Sequence, residues 1–198
     1  MSRSIQRALR AIQASGRPVK VARSRLDGRS SPLLGFVVGL SPSLVLLHLI
    51  DSAILLDGYV VVRVSEITSV DTAFASRQFV QRALRLRGHR RRPPAAAFPL
   101  QDVLAVLAAA QARFPLVTLH QERRNRRVCW VGQVQSFTPA GVVLRELTPS
   151  AAWDRAIWYP IASLTRIDFG GSYEAALALV AKVRPNPALQ RTGARPPR

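Results

Sequence analysis

Cysteine, lysine and long apolar runs are all scarce in this chain of 198 residues. The single cysteine, Cys129, excludes an internal disulfide and any metal site built from several cysteines. No segment offers the roughly 18 uninterrupted apolar residues that a membrane-spanning helix needs. Because Cys129 lies in the apolar run 128–131, we expect it to be an inert core thiol.

The motifs of common enzymes are also missing. The 3 histidines, His48, His89 and His120, form no HxH or HxxxH pair that would bind a metal. The chain has no GxSxG nucleophile motif and no glycine-rich loop that would hold a phosphate. We therefore expect no cofactor, no metal ion and no catalytic residues.

Arginine dominates the charge of the chain. Lysine and arginine together number 29 against 11 acidic residues, a formal net charge of +18, and only Lys20 and Lys182 are lysines. Such a charge favours anionic partners, nucleic acid or a membrane surface. An equally favoured alternative is that a GC-rich genome accounts for much of this positive charge.

A repeat organises the sequence, since segment 35–71 aligns without a gap with segment 132–168. The identical pairs include Gly35 and Gly132, Val37 and Val134, Pro42 and Pro139, Leu47 and Leu144, Asp57 and Asp154, Thr68 and Thr165, and Asp71 and Asp168. A repeat of this length predicts two copies of one small β-rich domain.

Apolar periodicity predicts a helix, five short strands and a second helix in each copy. The first copy spans 1–87, a basic proline-rich linker spans 88–98, the second copy spans 99–184, and a disordered tail spans 185–198. Asp27-Gly28 is typical of a hairpin turn. In the final helices we expect an inward apolar face made of Phe79, Val80, Ala83 and Leu84, and of Ala176, Leu177 and Val180.

The start of the chain, residues 1–13, is amphipathic and basic and resembles an organellar presequence. A similar helix recurs inside the chain at 100–113, before the second set of strands. We therefore interpret the start as structure and expect a cytoplasmic protein.

The order of elements resembles that of the Sm, LSm and Hfq proteins. The residues that carry the resemblance are the glycine early in strand two and the endings VxxIxxVD and IxxLxxID: Gly35, Val64, Ile67, Val70 and Asp71, then Gly132, Ile161, Leu164, Ile167 and Asp168. The resemblance implies a mainly β protein with flanking helices, formed by two tandem five-stranded Sm-like barrels, each preceded and followed by a helix.

The uridine-binding residues of that family are absent or remade in this chain. The turn between strands two and three, acidic or amide in Sm and LSm proteins, holds 41–43 (SPS) and 138–140 (TPA). Where Hfq has a lysine and a histidine, the copies have 63–64 (RV) and 160–161 (PI). The resemblance therefore implies a fold, and the fold alone does not imply RNA binding.

Arginines cluster in the first loop of each copy and form the predicted nucleic-acid site. These residues are Arg23, Arg25 and Arg29, and Arg123, Arg124, Arg126 and Arg127. Guanidinium groups suit phosphate oxygens and, without interleaved aromatic residues, would give affinity without base reading. The alternative is a solvated basic surface.

A second candidate site is aromatic and is confined to the second copy. Trp153, Trp158 and Tyr159 cluster before and within its fourth strand. They could stack on an unpaired base, although burial or contact with a protein partner is the favoured interpretation. The recurring aspartates at 57/154 and 71/168 are interpreted as turn or cap residues rather than as acid–base pairs.

These observations lead to one main function hypothesis and two alternatives. The main hypothesis is a non-enzymatic protein that binds RNA or another polyanion through its arginine-rich loops with little base preference. The first alternative is an interaction or assembly module whose barrel edges recruit a protein partner or form a homo-oligomer. The second is an enzyme with a pocket that converges on Asp154 and Trp153.

Overall fold

The structure, a computed structural model, describes residues 2–27, 32–89 and 98–187. The chain divides into two compact units, Met1–Leu100 and Gln101–Arg198. The predicted linker coincides in large part with residues 90–97, which lie outside the described residues, as do tail residues 188–198.

The first unit begins with a helix and continues with five strands. Its elements are α1 (Ser2–Ser15), β1 (Pro18–Ala22), the short α2 (Ser24–Asp27), β2 (Leu33–Leu40), β3 (Leu44–Ile50), β4 (Leu56–Arg63), a 3-10 turn (Val64–Glu66), β5 (Ser69–Asp71) and α3 (Arg77–Leu86). The strands are antiparallel and lie side by side in the order β5-β1-β2-β3-β4.

Each face of this sheet is covered by one helix. Helix α1 buries Leu9 and Ile12 in a cluster with β-strand residues such as Val37, while Arg3, Arg7 and Arg10 on its other side are exposed. Helix α3 buries Val80 and Leu84 against the cluster of Phe36, Ile50 and Phe74. The i, i+3 and i+4 spacing of apolar residues produces both packing faces.

The second unit has the same succession of elements, except that no described helix corresponds to α2. They are α4 (Val103–Arg113), β6 (Val117–His120), β7 (Cys129–Phe137), β8 (Gly141–Leu147), β9 (Trp153–Pro160), a 3-10 turn (Ile161–Ser163), β10 (Arg166–Phe169) and α5 (Ser172–Val180). The strand order is β10-β6-β7-β8-β9, again antiparallel. Helix α5 covers the cluster of Leu116, Val131 and Leu147.

Equivalent backbone features recur in the two units 97 positions apart. A Cβ added to Gly35 would lie 2.4 Å from the carbonyl oxygen of His48, and one added to Gly132 would lie 2.1 Å from that of Arg145. Ile54 and Ala151 both adopt positive φ, at 59° and 60°. The register between the second and third strands shifts at matching positions in both units. Such bulges increase strand bending and twist.

A threonine ties the first strand to the fifth in the same way in each unit. The amide of Thr68 donates to the carbonyl of Ala22 at 2.8 Å, and the amide of Thr165 donates to that of His120 at 2.9 Å. The two hydroxyl oxygens accept from the amides of Ser24 and Glu122. The two identical threonines therefore make equivalent hydrogen bonds to the backbone of the first strand and of the residues after it.

The prediction of two closed barrels is wrong, because the strands form open antiparallel sheet. Within each unit, the described strands at the two ends of the order, β5 and β4 or β10 and β9, do not pair with each other. Alternating burial reports which face of a strand is covered, and that pattern is the same for a curved open sheet and for a closed barrel. The mainly β composition with flanking helices is confirmed.

Predictions for the final helices and for the first hairpin turn are also wrong or concern residues outside the described ranges. Phe79, Ala176 and Val180, expected inward, are exposed. Asp27, expected in a hairpin turn, ends the short helix α2, and the following residues 28–31 lie outside the described ranges.

We expect Gly132→Ala to destabilise the protein because its new methyl group would meet the backbone of β8. Overpacking of this kind costs about 1–3 kcal/mol of unfolding free energy, and Gly35→Ala should behave alike. Urea unfolding followed by circular dichroism measures the change. Gln135→Ala, exposed on the same strand, is the control. Equal unfolding midpoints for Gly132→Ala and Gln135→Ala would contradict the proposed constraint.

Candidate nucleic-acid interface

The turn between β6 and β7 presents four of the predicted arginines together. Arg123, Arg124, Arg126 and Arg127 are all exposed. The amides of Arg124 and Asn125 donate to the carbonyl of Gln121, and the side chain of Asn125 accepts from the amide of Arg127 at 3.0 Å. These local bonds hold the backbone of the turn, so the four guanidinium groups are concentrated at one end of the sheet.

The base of this turn is anchored on the loop before β10. The side-chain Nε2 of Gln121, a residue that is 5% exposed, donates to Ser163 Oγ. The hydroxyl of Thr165 donates to Glu122 Oε2 at 2.7 Å. The acidic residue of the turn, Glu122, is thus partly buried, whereas the four arginines are exposed.

The matching arginines of the first unit are not brought together in the same way. Arg23 is only 4% exposed, so it is not placed to contact a phosphate at the surface. Arg23 directly follows β1, as Gln121 directly follows β6, and Gln121 is also buried. Arg29 and the side chain of Arg25 lie outside the described residues.

Two helices of the first unit carry a further basic surface. Arg3, Arg7 and Arg10 are exposed at i, i+4 and i+7 spacing on α1, which contains no acidic residue. Helix α3 exposes Arg82 and Arg85 and likewise contains no acidic residue. The sequence indicates these basic helix faces by arginines at helical spacing with no acidic residue in the same helix to neutralise their charge.

The aromatic residues of β9 do not form a common stacking platform. The Arg145 guanidinium lies 4.6 Å from the centre of the half-buried Trp153 ring. Trp158 is 38% exposed, and its indole nitrogen donates to Thr138 Oγ1 at 3.3 Å. Tyr159 is buried, and its hydroxyl donates to Glu146.

The ring of Tyr159 is packed inside the second unit and is not accessible for stacking. Burial and the hydrogen bond to the Glu146 carboxylate raise the pKa of Tyr159. The ring also contacts Trp130, with centroids 5.2 Å apart. Since successive residues of a strand face opposite sides, Tyr159 and Trp158 are turned to different faces. Of the three aromatic residues, Trp158 is the one with the largest exposed ring.

A polar cluster on β10 and β6 was not predicted as a site. His120 Nε2 lies 3.3 Å from Asp168 Oδ2, and the same carboxylate accepts two hydrogen bonds from Arg166. Burial alone would raise the pKa of Asp168, but the Arg166 guanidinium and the His120 imidazole outweigh it and hold that pKa at about 2. Arg166 and Asp168 lie on the same strand, whereas the pairing of β10 with β6 brings in His120 from a distant part of the sequence, which no local motif reveals.

Cys129 lies opposite His120 in the pairing of β6 and β7. The prediction of a core thiol is wrong, because the residue is exposed. Surrounding residues of the chain still partly shield the thiol from water. This burial is the main cause that raises the pKa of Cys129, and the negative charge of Asp168 raises it further. A raised pKa keeps the thiol protonated and weakens it as a nucleophile.

The recurring aspartates have different roles. Asp71 Oδ1 accepts from the amide of Ala73 at 2.7 Å, as expected of a turn residue. Asp154 is exposed, and its Oδ1 accepts from the amide of Arg155 at 2.8 Å. Asp168 instead belongs to the ion-paired cluster. Within residues 2–27, 32–89 and 98–187, no group of three His, Cys, Asp or Glu residues is arranged to hold a metal ion.

Among the described residues, no helix is both long enough and apolar enough to cross a membrane. No protein-family model, curated protein sequence or solved structure matches this chain.

We expect the stability of the protein to fall as the pH is lowered from about 4 to about 2, partly because of Asp168. The folded-state pKa of Asp168 is about 2, below the ordinary value of 3.8. Its ionised carboxylate therefore stabilises the folded protein fully above the ordinary pKa, and this stabilisation is lost as the pH falls through the folded-state pKa. This pKa shift corresponds to about 2 kcal/mol of unfolding free energy. Urea midpoints measured across this range should decline less in Asp168→Asn than in the wild type. Asp154→Asn, altered at an exposed carboxylate, should keep the wild-type slope; the same slope in all three proteins would refute the role of Asp168.

Proposed function

We propose that the protein is a non-enzymatic nucleic-acid-binding protein that contacts RNA through phosphate groups. The observation that carries the proposal is the β6–β7 turn, where Arg123, Arg124, Arg126 and Arg127 are exposed together. Arginine binds phosphate oxygens in a forked, bidentate geometry. The net charge of +18 adds long-range attraction for a polyanion.

The proposed binding has little base preference. Tyr159 is buried and Trp153 is half-buried beneath Arg145, which leaves Trp158 as the most exposed of the three candidate stacking rings. Contacts to phosphate position a protein on nucleic acid without reading its sequence. Affinity should therefore depend on strand charge and on salt far more than on base identity.

The resemblance to the Sm and LSm proteins, the tandem repeat and a cytoplasmic location remain proposals. The resemblance and the tandem repeat are supported by an order that both units share apart from α2: a helix, four strands, a 3-10 turn and a short fifth strand. The recurring contacts of the two glycines and the two threonines point the same way. None of these features by itself implies a ligand.

A second candidate function is that of an assembly module, favoured by strand β9. This strand ends the strand order, so one of its edges has no strand partner among the described residues. It spans 8 residues, Trp153–Pro160, long enough to pair with a strand of another chain. A protein partner or a second copy of this chain would be the occupant.

We expect single-stranded RNA to bind with an affinity that falls steeply with salt. Replacing two arginines of the turn in Arg124→Ala/Arg127→Ala should reduce the slope of log K against log salt concentration by about 1.4, because about 0.7 counterions are released per phosphate contact on single strands. Fluorescence anisotropy at several ionic strengths measures this slope. The control is Arg155→Ala/Arg184→Ala, which removes the same charge from exposed positions elsewhere in the unit.

A wild-type affinity that does not change with salt would overturn the phosphate-binding proposal. An equal loss of slope in the two double variants would show that net charge matters and the turn does not. The assembly candidate gains if the purified protein carries no nucleic acid, by absorbance at 260 and 280 nm, and elutes as a defined oligomer.

A further inference from the structure

A cavity of about 340 Å³ lies in the first unit, between α3 and β2. Phe36 and Leu84, both largely buried, form its apolar wall and belong to the cluster that holds α3 on the sheet. Gln81, Arg85 and His89 also line it. The volume is at the lower end of the range for small-molecule sites, which begins at about 300 Å³.

The end of α3 shapes one side of this cavity. Gly88 adopts a φ of 72°, its amide donates to the carbonyl of Arg85 at 3.0 Å, and the amide of His89 donates to the carbonyl of Leu84 at 2.8 Å. This pair of bonds is a Schellman cap, which reverses the chain after the helix. The cap satisfies two terminal carbonyls and places His89 back against the last turn of α3.

The chemistry of the lining defines a ligand class. An apolar wall that includes an aromatic ring suits a flat apolar group, and the Gln81 amide offers both a donor and an acceptor. Arg85 is exposed and cationic, and no lining residue is acidic. The lining therefore complements a planar heterocycle joined to an anionic group, which is the chemistry of a nucleotide.

We propose that this cavity receives one nucleotide with an unpaired base, the base against Phe36 and Leu84 beside Gln81, and the phosphate near Arg85. The inference rests on the proposed function in one respect, since it takes the nucleotide to be part of a bound RNA. A duplex keeps its bases stacked and paired, so only single-stranded RNA would enter. The same chemistry belongs to a free nucleotide, and the experiment separates the two sources.

Titration calorimetry with adenosine 5′-monophosphate tests the cavity without RNA. We expect Arg85→Ala to weaken binding about fivefold, the upper range for one exposed ion pair, while Arg82→Ala leaves it unchanged. Arg82 is a matched control, because it is an exposed arginine of the same helix that does not line the cavity. Ribose 5-phosphate should bind more weakly than the nucleotide because it lacks the base. Equal losses in the two variants, or equal binding of the two ligands, would overturn the inference.

Anisotropy with a short single-stranded RNA and with its duplex tests the source of the nucleotide. We expect the wild type to prefer the single strand, Gln81→Ala and Arg85→Ala to lose that preference, and Arg82→Ala to keep it. If the nucleotide titrations behave as expected and no RNA binds, the proposed function fails and the cavity is a site for free nucleotides. If RNA binds with the expected salt slope and Arg82→Ala matches Arg85→Ala in both assays, the cavity inference fails and the proposed function stands.

Discussion

The close approach of two backbones at a single glycine is the constraint on which each unit depends. At Gly35 and Gly132 the neighbouring strand lies so near that a Cβ atom would overlap a carbonyl oxygen. The approach, together with the bulges that follow it, allows the second and third strands to bend. On the face covered by α1, strand residues such as Val37 are buried with Leu9 and Ile12 in one apolar cluster.

The position of the basic surface follows from the same scaffold. Because Thr165 joins the first strand of the second unit to its fifth, the turn after β6 begins from a buried, hydrogen-bonded base. Arginines on such a turn reach solvent without losing backbone order. In the first unit the position that corresponds to Gln121 is occupied by Arg23, and both residues are buried. The loop arginine Arg23 is therefore not a surface residue. The two units thus share a backbone and differ in the surface they present.

Much of the fold was predictable because it depends on local periodicity. The strands Leu33–Leu40 and Leu44–Ile50 belong to the predicted succession of five strands, since alternation and turn residues mark strands locally. The closed barrels were predicted wrongly because closure depends on which strand edges meet, and side-chain alternation contains no information on edges. The exposure of Phe79 and Val180 was missed for a related reason: an apolar helix face shows which residues are able to pack, not how far the sheet beneath extends.

The sequence by itself determined the element order and the repeated glycine, threonine and aspartate positions. It also determined that four arginines lie in one turn. All of these are local properties of composition and spacing. Only the tertiary structure decided that Arg23 is buried, that Asp168 meets both Arg166 and His120, and that Cys129 is exposed opposite His120. Those outcomes depend on strand register, which pairs residues far apart in the chain, and register is set by the packing of the whole sheet rather than by any segment alone.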